Sequence, residues 1–279
     1  NRDGSLPQSA PEDERVDAAS GCERISARLS YPFILSREET LTGTLAFDHA
    51  SDEQDVLAPG GDLPVYRDEL RVLRLSGDYG RQFASGAQLF ANATFSLGLE
   101  GFGARTADDA TAELPLSRPG ADAGFSKLVL GARYRAPLGE AMAFSLSGRM
   151  QTSFGDPLLT SEQFGIANSA ELSAFDSGTI SGDSGWVVRA ELSRSFQVQA
   201  GSVPLQVDPY LFAGTGAVTL HEPGPEEEET VRASAFGVGV QLFSRQDDRY
   251  GGQTLRAEFG KRTRDDDGDD GTRFTLFGE

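Results

Sequence analysis

The chain has one cysteine, two histidines and one tryptophan in 279 residues. A single thiol, Cys22, excludes an intrachain disulfide framework and a cysteine-rich metal centre. His49 and His221 lie far apart and lack the neighbouring ligands of a metal site. No serine, histidine and acid set suits nucleophilic catalysis. No catalytic residue, metal or cofactor is therefore assigned, and an enzyme is not expected. Basic residues are also scarce: 25 Lys and Arg stand against 43 Asp and Glu, a net charge of −18. That balance excludes nucleic acid as a partner. Apolar runs of about 18 residues are missing, so no transmembrane helix is encoded. The mean hydropathy of −0.34 still allows a transmembrane barrel, where only every second strand residue faces lipid.

What the chain does have is alternation. Residues 1–22 are polar, without periodicity, and read as a linker or disordered arm. Residues 23–279 read as one barrel domain of period two. Strand candidates fall at 25–33, 40–49, 69–79, 88–98, 126–136, 144–154, 186–196, 205–218, 232–243, 254–261 and 272–277, eleven in all. In 126–136, Leu128, Leu130, Ala132 and Tyr134 oppose Lys127, Arg133 and Arg135. In 186–196, Trp186, Val188, Ala190 and Leu192 oppose Arg189 and Glu191. A soluble sandwich also alternates. Here, however, charges recur at mid-strand, and the apolar face is small and aromatic. That suits a hydrated lumen and a lipid exterior.

Connections also alternate between short ones and long or acidic ones, the latter at 50–68, 99–124, 155–185, 221–230 and 262–271. A transmembrane barrel has short turns at one end and longer loops at the other. The expected fold is all-β: a transmembrane antiparallel β-barrel of about eleven strands. The Gly/Ser/Asp-rich segment within 161–192 is expected to fold inward as a long loop. Lys127, Arg133, Arg135, Arg149, Gln151, Arg189 and Glu191 are expected to face the lumen. The acidic runs 226–229 and 265–271 read as solvated loops.

Several pieces resemble the barrel domain of the two-partner-secretion transporters (TpsB, the hemolysin secretion/activation type). They occur in family order. Tyr31-Pro32-Phe33 with Arg37 comes first, then Gly98–Ala104 and Ser117-Arg118-Pro119-Gly120-Ala121-Asp122 with Phe125-Ser126-Lys127-Leu128. Gln151 and LLTSEQF at 158–164 follow, then Gly182-Asp183-Ser184-Gly185 with Arg189, Glu191 and Leu192. The resemblance implies an outer-membrane barrel of sixteen strands with POTRA domains and a plug helix. This chain resembles its last eleven strands, so it is expected to be a fragment, to be completed by another chain, or to close a smaller barrel through its first 22 residues and unusual pairing.

In that family the inward loop carries an arginine that pairs with an aspartate on a later strand. Here Ile166, Leu172, Ser173, Ala174 and Phe175, after Phe164, stand on the loop motif. Phe212, Gly214 and Gly216 stand on the strand motif. Serine 173 replaces the arginine and Gly214 the aspartate, so the lock is expected to be lost on both sides. Losing both partners is tolerable where losing one is not. The open alternative is a substitute pair drawn from Arg149, Arg189 or Arg135 with Glu171, Asp176 or Asp183. The resemblance implies export of a partner polypeptide across the bacterial outer membrane, in contact with lipid and lipopolysaccharide. The lost lock leaves a non-transporting scaffold as the alternative and a passive porin as a third.

Overall fold

The computed structural model describes residues 18–56, 63–200, 203–225, 227–244, 253–266 and 270–278. The alternating segments form β1 (Ala18–Leu35), β2 (Glu39–Val56), β3 (Leu63–Gln82), β4 (Gln88–Gly98), β5 (Ser126–Leu138) and β6 (Met142–Thr152). Within the long loop lie β7 (Phe164–Gly165) and β8 (Ser181–Gly182). The wall resumes with β9 (Ser184–Arg194), β10 (Phe196–Ala200), β11 (Val203–Thr219), β12 (Thr230–Ser244), β13 (Gln253–Arg264) and β14 (Gly271–Gly278).

Eleven of these strands form one antiparallel meander in chain order, from β1 through β6, then β9, then β11 to β14. β7 pairs only with β8, and β10 pairs only with β11. The register keeps like faces together. Arg74 stands opposite Ser96, and Ser96 opposite Lys127. Ser147 stands opposite Arg189, and Arg189 opposite Gly214. One face therefore carries most of the charged side chains of these strands. The other carries Leu29, Leu75, Phe95, Leu146, Trp186, Leu211 and Phe236, all exposed large apolar side chains. A sheet with its apolar face outward and its charges inward is matched to lipid, not to water.

Among the described residues, β1 pairs with β2 alone and β14 with β13 alone, so the sheet has an open seam. The loop at 153–183 touches strands near both ends of the meander, through Arg74 on β3 and Arg273 on β14.

Three expectations are corrected. The arm ends earlier than residue 22, because Ala18–Cys22 already pairs with β2; residues 1–17 lie outside the described residues. The connection expected at 50–68 is mostly strand. There β2 and β3 stay paired, with Asp52 opposite Asp68 and Glu53 bonded to Arg67 at 2.6 Å. Charged residues pair as strands there because the hairpin rises beyond the lipid-facing band. The strand expected over 186–196 breaks at Ser195, whose amide turns to Ala141 O. Residues 201–202, 245–252 and 267–269 lie outside the described residues.

The pore and its inward loop

The loop at 153–183 connects β6 to β9 and lies on the polar, concave face. Its charged residues are Asp156, Glu162, Glu171, Asp176 and Asp183, with no lysine or arginine among them. Four of the five acids are held by bases outside the loop, and Asp156 accepts the amide of Ser126.

Glu162 is the first fastening. It is almost fully buried. Arg74 Nη2 on β3 donates to its carboxylate at 2.6 Å, and Lys127 Nζ on β5 at 2.7 Å. Lys127 also donates to the Glu162 carbonyl at 2.7 Å, and Gln151 Nε2 does so at 3.1 Å. Arg74 is shared with Asp48 on β2 at 2.7 Å. Burial alone would push the Glu162 carboxyl up, but Lys127 and Arg74 outweigh it and hold it below the usual range.

The second fastening is at the tip. Arg149 on β6 grips both carboxylate oxygens of Glu171 and donates to Gly165 O at 2.8 Å. Asn168 donates to the same carboxylate at 2.7 Å. Arg149 also lies over the Phe164 ring, 4.8 Å from its centre.

The third is a buried network around Ser173. Its hydroxyl donates to Glu258 on β13 and accepts from Arg189 Nη1 at 2.9 Å. Arg189 Nη2 donates to Glu258 at 2.7 Å, and its Nε to Glu191 at 2.7 Å. Arg189 also holds the Glu171 carbonyl at 2.9 Å and stacks on Phe212 at 4.1 Å. The Tyr210 hydroxyl donates to Glu258 at 2.6 Å and accepts from Arg256 Nε at 2.6 Å. Beyond Ser173, Arg262 donates to Ala174 O at 3.2 Å, and Arg273 pairs with Asp176 at 2.5 Å.

The apolar side chains of the tip pack around this network. Phe164, Ile166, Leu172, Ala174 and Phe175 form one buried cluster with Val187, Tyr210, Phe212 and Val218. Leu172 lies over Gly214: a Cβ built there would stand 3.1 Å from Leu172 Cδ2. Gly216 packs against the backbone of Trp186 and Val187. The loop motif and the strand motif are thus in contact. At positions 173 and 214 themselves no ion pair joins them, because one is a hydroxyl and the other has no side chain.

At the long-loop end, Arg118 ties three segments together. It pairs with Asp183 and donates to His221 O at 2.5 Å. Asp183 is fully buried and also accepts the amides of Leu158 at 2.9 Å and His221 at 2.6 Å. Around it, Leu116, Ala121, Ala123 and Phe125 of the β4–β5 loop pack on Leu70, Val72, Leu158 and Leu159.

Of the residues expected to face the lumen, Lys127, Arg149, Gln151, Arg189 and Glu191 all contact the loop or its network. Arg133 lines a cavity of about 640 Å³ below the tip, with Asp78, Tyr79, Asn92 and Asn168. Arg135 lies on the same face of β5, two residues nearer the short turns, and lines a smaller recess with Gln88. Of the substitute pairs, Arg149 with Glu171 is formed. Asp183 instead takes Arg118, Asp176 takes Arg273, and Arg189 takes Glu191 and Glu258. The sequence reading placed Arg118 and Glu162 in motifs and Arg74 on a polar strand face, but gave no role to them or to Asp48, Tyr210, Arg256 and Glu258. The signal was present for most of them: a charge at mid-strand on the polar parity must face the lumen.

The family described as Haemolysin secretion/activation protein ShlB/FhaC/HecB matches residues 8–242. No curated protein matches the chain significantly. Among solved structures, the chain is similar to CdiB from Escherichia coli, with a TM-score of 0.69 and 17% identity over 94% of this chain and 45% of that one. The chain thus spans less than half the length of CdiB.

Proposed function

Because the chain belongs to the Haemolysin secretion/activation family ShlB/FhaC/HecB, a family of two-partner-secretion barrels of the Gram-negative outer membrane, we propose that it walls a pore exporting a partner polypeptide, with the loop at 153–183 as its removable plug. The observation that carries this reading is how the loop is held. Its polar fastenings to the concave wall are ion pairs and hydrogen bonds from Arg74, Lys127, Arg149, Arg189, Arg262 and Arg273. Such contacts can be exchanged for water or for another chain's polar groups, and release of the tip also opens its apolar cluster with Val187, Tyr210, Phe212 and Val218.

The second reading is a non-transporting barrel that anchors a surface assembly. It is favoured by Ser173 and Gly214, which stand where the resemblance places the arginine and aspartate of the lock. A passive porin has less support, because the loop occupies the lumen.

Conductance in planar bilayers separates the three. The intact protein is expected to be closed with brief openings, and deletion of residues 166–178 should give a steady open pore. A wild-type pore that stays open supports the porin. A barrel that never conducts, even without the loop tip, supports the scaffold and refutes export.

A further inference from the structure

We infer that the polypeptide accommodated by this pore is acidic where it replaces the loop, because the loop occupies a cationic track as a carboxylate-bearing surrogate. The inference rests on the export reading and specifies its substrate class.

The argument is one of charge. The concave-face residues of the wall joined in the loop's polar networks are seven cations, Arg74, Lys127, Arg149, Arg189, Arg256, Arg262 and Arg273, against three carboxylates, Asp48, Glu191 and Glu258. The wall therefore has an excess of four positive charges from these groups alone (7 − 3). Arg133 and Asp78 both line the cavity below the tip and add no net charge to this excess. The loop answers with Glu162, Glu171 and Asp176, and places no cation in the lumen.

Unseating the loop leaves Lys127 and Arg149 without their carboxylates; Lys127, 8% exposed with the loop seated, is the more buried of the two. Uncompensated charge there is costly. A passing segment that supplies carboxylates satisfies the same groups. One rich in lysine would meet the net cationic excess of these groups. Position 173 sharpens the point. An arginine there would leave a cation on the plug and the wall preference mixed. With serine, every ionised group on the loop is an acid.

The test uses the intact protein with residues 166–178 deleted, in planar bilayers, with its reversal potential measured across a potassium chloride gradient. Poly-glutamate and poly-lysine, added on the short-turn side, serve as probes. The pore is expected to be anion-selective. Poly-glutamate should block at concentrations at least about tenfold below poly-lysine, the sign and size expected of a focused cationic cleft. Arg149→Gln with Arg273→Gln in the same background should reduce that ratio severalfold. Folding of each variant is checked by heat-modifiable migration.

A variant that does not fold is replaced by exchange mass spectrometry on the wild type. There, poly-glutamate and not poly-lysine should accelerate exchange in the loop. A pore that conducts but is cation-selective, or is blocked equally by both polymers, overturns the inference and leaves export standing. A barrel that conducts under no condition refutes export itself.

Discussion

Glu162 carries the largest concentrated load on the loop, and its removal should unseat the loop without unfolding the wall. Replacement by alanine removes one carboxylate from two cations, Arg74 at 2.6 Å and Lys127 at 2.7 Å. Arg74 retains Asp48 at 2.7 Å. Lys127 retains no carboxylate, and its side chain is 8% exposed. Breaking one side of a buried pair costs roughly 3–5 kcal/mol. A Coulomb figure of about 4 kcal/mol at 4 Å and an effective dielectric near 20 agrees with that range. Since about 1.4 kcal/mol is tenfold, the equilibrium between seated and unseated loop should move by roughly a hundredfold to a few thousandfold. The reporters are loop amides that bond within the loop: Ile166 to Ile180 O, Gly178 to Ala167 O and Phe175 to Leu172 O. Hydrogen exchange followed by mass spectrometry should show all three opening together in Glu162→Ala. In Glu162→Ala with Lys127→Met, most of the protection should return, since removing both members of a pair is close to neutral. If the single variant changes exchange less than about threefold, the reasoning fails. The weight of the loop would then rest on the network around Ser173.

The remaining expectations concern acid and positions 173 and 214. The Glu162 carboxyl is held below its ordinary range. Its contribution is therefore complete above the unfolded value of about 4.3 and is lost as pH falls through the lower folded value. Loop exchange, corrected for intrinsic rates, should be flat from pH 8 to about pH 5 and rise only below about pH 4. A rise already at pH 6 would assign the fastening to another group. Ser173→Arg alone should loosen the loop, because it sets a second guanidinium against Arg189, now 2.9 Å from the hydroxyl. Gly214→Asp alone should do so too, because its side chain meets Leu172. If the two positions correspond to the family's lock, the double variant should recover about 1–3 kcal/mol relative to the sum. Simple additivity in urea titrations would show that they do not.

The wall was legible because its physics is local. A strand between lipid and a wet lumen needs opposite residues on its two faces, so period two marks each strand without knowledge of its neighbours. Lys127 and Arg189 could be assigned a face from their own strands alone. Glu258 could have been, since it lies between Ala257 and Phe259 on a clean alternation, but its role could not. That role depends on β13 curling to within reach of Ser173, 85 positions earlier in the chain. The Arg74–Glu162 pair is equally remote, spanning 88 positions. Partner choice across such distances is set by register and sheet curvature, which no single segment encodes. The error at 50–68 has a different cause. Asp52, Glu53 and Asp55 looked like a solvated loop because alternation of apolar residues stops there. The backbone ladder does not stop, because above the lipid band strand pairing no longer requires an apolar face.

Read through the structure, the motifs that carry the family resemblance are largely the two halves of its fastenings. Arg118, from Ser117–Asp122, meets Asp183, from Gly182–Gly185. Lys127, from Phe125–Leu128, meets Glu162 of the LLTSEQF segment. Gln151 bridges the carbonyls of Glu162 and Asp183. These contacts place the two limbs of the loop, and none of them involves position 173. That separation lets the loop stay inside with a serine at 173 and a glycine at 214. With its limbs held by Glu162 and Asp183, the tip needs only a contact compatible with burial. Ser173 supplies one by bonding to Arg189 and Glu258, which are already paired with each other across the wall. A neutral hydroxyl entering an existing ion pair brings no net charge into the interior, so it costs less than an arginine would without its aspartate. The loop's position is therefore specified by its limbs and the charge of its surroundings by the wall. The tip is left free to change without the loop leaving the concave face.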